Sequence, residues 1–113
     1  DVLHAGDLMF KDWFPYIDLG AGGNVQGYID AVSAMIEMID GDTQIIPGHG
    51  SLANRSDLMR FRDMIVETYA YVQAQKSAGL SEDEAVAKGL EDKWKDWAWR
   101  FITEERWIRT LYK

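Results

Sequence analysis

The chain contains no cysteine. Disulfides and thiolate metal sites are therefore excluded, and redox usage says nothing about the compartment. Histidine is nearly as scarce. His4 and His49 are the only two in 113 residues, so any metal centre must be built from them and from carboxylates. No apolar run approaches the roughly 18 residues that a membrane span needs. No basic-plus-apolar signal segment opens the sequence, and a soluble, cytoplasmic chain is expected. Cations are also short: 12 Lys and Arg stand against 19 Asp and Glu, for a net charge of −7. That balance repels a phosphate backbone, and no local basic patch offsets it, so nucleic acid is not expected as a partner. The first residue is Asp1, not Met, and it adjoins a strand-like run. A processed, excised or truncated piece of a longer chain is expected.

Hydrophobic residues make up 47% of the sequence, enough for a globular chain with a modest core. The first apolar stretch is "VLHAGD". Residues 1–6 read as a strand that Gly6 and Asp7 end. Residues 8–23 read as loop, with Pro15 and the Gly20, Gly22 and Gly23 turn as breakers. Asn24 suits a helix N-cap. Val25, Tyr28, Ile29, Val32, Met35, Ile36 and Ile39 then recur at helical spacing, and Gly41 marks the expected end. In "TQIIPGHGS", Thr43 to Ile46 reads as a second short strand that Pro47 and Gly48 stop.

Helix resumes near Arg55 and is expected to reach Ser77. Leu58, Phe61, Ile65 and Val72 form its buried face, and Gly79 its stop. Ser81 and Glu84 form a capping box for a short helix. Thr103 opens a last helix with Trp107, Ile108, Leu111 and Tyr112 on one face. Residues 1–113 are read as one domain or domain fragment: a strand–helix–strand unit over 1–54, then C-terminal helices over 55–113. The fold class is α/β, rich in helix and poor in strands. Two short strands do not make an independent sheet. Further chain or a second copy is expected to complete it, giving a homo-oligomer or association with a complementary half.

Asp7 and His49 each follow a strand by way of a glycine. Strand ends in layered α/β folds collect functional groups, because the sheet fixes them and the loops leave room. A carboxylate and an imidazole suit zinc, iron or manganese. The plainer alternative is a turn-capping Asp and a loop His. His4 reads either as a half-buried side chain bonded to backbone, or as an extra ligand or a group that orients one. The Gly20–Gly23 turn reads as turn chemistry ahead of an anion site. Trp94, Trp97, Trp99, Trp107, Phe101 and Tyr112 read as core or as a docking patch, with some of their surface open to drive association. Glu82, Asp83, Glu104 and Glu105 sit in first helical turns and read as solvated, not as a catalytic carboxylate pair.

The ordered set of "VLHAGDLMF", a Gly-rich turn opening a helix, and "TQIIPGHGS" resembles the C-terminal part of the metallo-β-lactamase-fold hydrolases. "LMRFRDMI" and "GLSEDEAV" look like the tail of one branch of them. The resemblance spans nearly all of residues 1–112. It implies the C-terminal half of an αββα sandwich. It implies that Asp7 bridges two metal ions, zinc above all, and that His49 ligates the second. It further implies hydrolysis of a small-molecule ester, thioester, amide or phosphodiester by metal-activated water, with Asp7 also orienting the nucleophile. The family's His-x-His-x-Asp-His signature is missing from this sequence, as is a further ligand His. The chain alone is therefore expected to be inactive. A non-catalytic module that folds by self-association is the alternative.

Overall fold

A computed structural model describes residues 2–17, 19, 23–49 and 51–113, and for residues 5–8 and His49 it describes the backbone alone. Strand β1 (Val2–Phe10) leads to helix α1 (Val25–Met38) and strand β2 (Gln44–His49). Helices α2 (Arg55–Ser77), α3 (Glu82–Lys88) and α4 (Glu104–Tyr112) follow, with a 3₁₀ turn over Asp92–Trp97 between the last two. The two strands pair in parallel, with α1 as the connection. The fold is thus a helix-rich α/β domain.

Capping fixes the helix starts. Asn24 accepts a hydrogen bond from the Gly27 amide at the head of α1. Asn54 with Asp57, and Ser81 with Glu84, form reciprocal capping boxes at α2 and α3. Thr103 accepts from the Arg106 amide at α4. The C-terminal ends differ. Gly79 has φ +96° and takes the backbone out of α2 as its position suggests. α1 instead stops at Met38, short of Gly41. The following turn is closed by side chains: Asp40 accepts from the Asp42 amide and the Thr43 hydroxyl.

Both strands run longer than their glycines and proline suggest. β1 passes through Gly6 and Asp7 to Phe10, and β2 passes through Pro47 and Gly48 to His49. The ladder tolerates Pro47 because pairing is already irregular there. His4 pairs with Ile46 and Gly6 with Pro47, so β1 advances two residues for one of β2. On its far side β2 is met by Ala53, which exchanges two backbone hydrogen bonds with Ile45, at 2.8 and 2.9 Å.

The sheet has one covered face. Ile45 is fully buried, and α1 and α2 both lie against β1. The opposite face shows Val2, His4 and Ile46 to solvent. The buried cluster is mostly helical. Val25, Ile29, Val32 and Ile36 of α1 meet Leu58, Phe61, Met64 and Ile65 of α2, and Trp107, Ile108 and Leu111 of α4 close the far end. The periodic positions named above for α1 and α2 are all buried or half-buried.

The aromatic residues of the C-terminal quarter divide between core and surface. Trp107 is fully buried, stacks on Phe14 at 5.5 Å, and donates to the Thr68 hydroxyl at 3.1 Å. The Thr68 hydroxyl in turn donates to the Met64 carbonyl at 2.7 Å. Trp97 is buried, whereas Phe101 is 60% exposed.

The acidic pairs are bound, not merely solvated. Arg109 donates to Glu82, Asp83 and Glu105, fastening α3 to α4. The guanidinium, aided by Lys113, holds the Glu82 carboxyl below the usual carboxylate range, against a smaller opposing effect of burial. Glu104 accepts from Lys95.

One buried group lacks a partner. Gln75 of α2 is 6% exposed, and its side-chain amide makes no hydrogen bond among the described residues. A buried orphan amide loses its hydration without compensation, whereas a thioether of similar length loses nothing. Gln75→Met is therefore expected to stabilise the protein by about 1 kcal/mol. Urea unfolding would read this as a higher midpoint at unchanged slope.

Candidate functional site at the strand ends

β1 is an apolar run interrupted by Gly6 and Asp7, and its pairing carries the mark of that interruption. Between the Gly6–Pro47 and Phe10–His49 pairs, β1 advances four residues while β2 advances two. Asp7 lies inside this bulged stretch. Bulges re-aim side chains and are frequent beside functional sites. His49 is the last residue of β2, reached through Pro47 and Gly48. The two candidate ligands therefore sit on hydrogen-bonded neighbouring strands, whose backbones run about 4.8 Å apart in any sheet. Their side chains fall outside those described. Residues 20–22 and Gly50 do so entirely, and with them most of the Gly20–Gly23 turn.

His4 departs from one expectation. It is exposed, not half-buried, because it points to the sheet face that the helices leave uncovered. A register shift separates it from Asp7 along β1. Among the described residues, no group of three His, Asp or Glu side chains could hold a metal ion.

The segments that leave the two strands are tied together by residues the sequence did not single out. Lys11, directly after β1, donates to the Ser51 hydroxyl at 3.1 Å and the Leu52 carbonyl at 3.0 Å, just after β2. Its ammonium is 3.9 Å from the Asp57 carboxylate at the head of α2. Asp12 then turns the chain with φ 63°, a left-handed conformation that Asp tolerates better than most residues. Arg60 of α2 donates to the Asp12 carboxylate, and its guanidinium lies 5.6 Å from the Trp97 ring centroid.

Aromatic packing continues the brace. Trp13 stacks on Trp99 at 4.6 Å, and Phe10 meets the same ring at 5.9 Å. Trp99 donates to the Phe14 carbonyl at 2.7 Å, and the Phe14 amide donates to the Trp97 carbonyl at 2.9 Å. The C-terminal tryptophans thus clamp the turn that follows the Asp7 strand. A lone Lys and Asp beside an apolar run carry no pattern that sequence reading could catch. Trp13, in a chain with five tryptophans, was the available hint.

No protein-family model matches the chain, and no curated protein matches it. The arrangement therefore stands on its chemistry. It presents a carboxylate-bearing residue in the bulged stretch of β1 and an imidazole-bearing residue at the end of the paired β2, with a buttress of cation, carboxylate and indole just beyond β1.

The brace is testable apart from any ligand. Lys11→Met removes both hydrogen bonds and the nearby charge, and is expected to lower stability by about 1–2 kcal/mol. Lys88→Met, at an exposed lysine of α3, is expected to stay within about 0.5 kcal/mol of the parent. Paired urea titrations measure both.

Proposed function

We propose that this chain is the C-terminal portion of a metal-dependent hydrolase of the metallo-β-lactamase superfamily, with Asp7 and His49 as zinc ligands. The observation that carries the reading is the parallel pairing of β1 with β2. It sets Asp7, in the bulged stretch of β1, on the strand next to the one that His49 ends. The donor set fits the metal: oxygen and imidazole nitrogen are ordinary zinc ligands, and iron or manganese accept the same pair. A catalytic zinc takes three protein ligands and one open position. Two from this chain leave the remainder to a complementary half, so the chain alone is read as inactive.

The open face of the sheet supports the same reading at the level of fold. Val2 is 65% exposed and Ile46 36%, opposite a face that helices cover. A half-sandwich of the αββα type has such a face where its second sheet docks. On this reading residues 1–113 are a domain fragment, with the ligands in 1–54 and the packing helices in 55–113.

In the intact protein a bound metal supplies Lewis-acid activation of water toward a small-molecule ester, thioester, amide or phosphodiester. Asp7 would ligate the metal and orient the nucleophile, and His49 would ligate through a neutral ring nitrogen. His4, on the uncovered face, would be an extra ligand or a group that orients one.

The same open face also favours a second reading, a non-catalytic module that folds by self-association. In that case two copies cover each other's Val2 and Ile46, and no metal is held.

Equilibrium dialysis against zinc, with metal read by atomic emission, separates these readings. The expected result is zinc retention by the parent chain that falls at least about tenfold in Asp7→Ala and in His49→Ala, with circular dichroism unchanged. Absent retention, or retention equal in all three proteins, would contradict the metal reading.

A further inference from the structure

We propose that Tyr16, Phe101, Arg100 and Arg106 form a docking surface for an acidic peptide segment of a partner protein. The proposal does not depend on the metal site.

Most cations of this chain are ion-paired. Lys11, Arg60, Arg62, Lys93, Lys95, Arg109 and Lys113 each have a carboxylate within 4.0 Å. Arg100 and Arg106 are among the five cations with none among the described residues, together with Arg55, Lys76 and Lys88, although the chain carries seven more acidic than basic groups. Both are exposed, and both lie over aromatic rings. Arg100 sits 5.6 Å from the Phe101 ring centroid and Arg106 sits 5.3 Å from that of Tyr16. Those rings are themselves open to solvent, Phe101 at 60% and Tyr16 at 49%.

The contacts join into one patch. Arg106 donates to the Phe101 carbonyl at 2.8 Å, which holds its guanidinium in place. Phe101 packs edge-on to Trp99 at 5.4 Å, and Trp99 stacks on Trp13. The result is two charged forks on a row of exposed rings, backed by a fixed indole pair. Aromatic residues and arginine are the side chains enriched at binding hot spots. A guanidinium matches a carboxylate in a bidentate, planar fashion. Holding both in advance lowers the entropy lost on binding.

The chemistry selects the occupant. A long polyanion such as nucleic acid reaches beyond the two arginines and meets the net charge of −7, whereas a short acidic segment stays within reach of both guanidiniums. The two guanidiniums rest on different rings, so a strand with carboxylates at intervals and apolar side chains between them engages both. One small anion engages a single fork.

A fluorescein-labelled peptide of alternating Glu and Leu is the probe, with the Lys–Leu peptide as control and anisotropy as the readout. The Glu–Leu peptide is expected to bind, more weakly as salt rises. The double variant Arg100→Ala/Arg106→Ala is expected to weaken it by at least about tenfold, and Phe101→Ala by several-fold. All three sites are exposed, and unchanged circular dichroism checks that the fold survives. No binding, equal binding of the Lys–Leu peptide, or binding unaffected by the double variant would overturn the proposal. So would self-association by sedimentation that Arg106→Glu abolishes, because the occupant would then be a second copy.

Discussion

The parallel pairing of β1 with β2 is the constraint on which the rest depends. Neither strand is stable alone, and a parallel pair needs a long crossover, which α1 provides. Once the strands are paired, α1 and α2 have an apolar face to cover through Ile45 and Met9. The ends of both strands come together at Phe10 and His49, with Asp7 three residues inside β1. The two register shifts, between His4 and Gly6 and between Gly6 and Phe10, let nine residues of β1 run beside six of β2 without losing the pairing at either end.

The C-terminal helices serve that pair from a distance. Trp107, Phe14 and Thr68 form a buried stack and hydrogen-bond chain that anchors α4 to α2 and to the loop after β1. Trp97 and Trp99 hold the same loop by backbone and indole hydrogen bonds. Arg109 links α3 to α4 at the surface, where ion pairs contribute little individually and gain by sharing one guanidinium. The brace after β1 and the hydrophobic core are thus built from overlapping residues. Among the described residues, the aromatic set is most open at Phe101 and Tyr16.

The helices were legible from sequence because their signals are local. Asn24, Ser81 and Thr103 announce caps within three residues, and Leu58, Phe61, Ile65 and Val72 announce a face within a few turns. The strand limits were not, because Gly6, Pro47 and Gly48 are breakers that a ladder accepts only where its register already slips, and the slip is a property of two strands together. The end of α1 is not legible for a similar reason: Asp40 and Thr43 close the turn by side-chain bonds, so Gly41 is not needed as a cap. The exposure of His4 does not follow from the sequence either, because one sequence does not tell which sheet face the helices cover. Lys11 and Arg60 escaped notice because their partners lie 41 and 48 residues away. The pairing of Asp7 with His49 as a site came from the motifs around them, and the fold adds the parallel strands that carry them.

The central claim is that Asp7 and His49 converge on one ion. The most direct measurement is a zinc titration followed by nuclear magnetic resonance of the two histidine rings. The account predicts that the His49 ring signals shift and sharpen with zinc, and that this response disappears in Asp7→Asn, an isosteric change that removes the charge. A His49 ring that ignores zinc, or that responds equally with and without the Asp7 carboxylate, would contradict it.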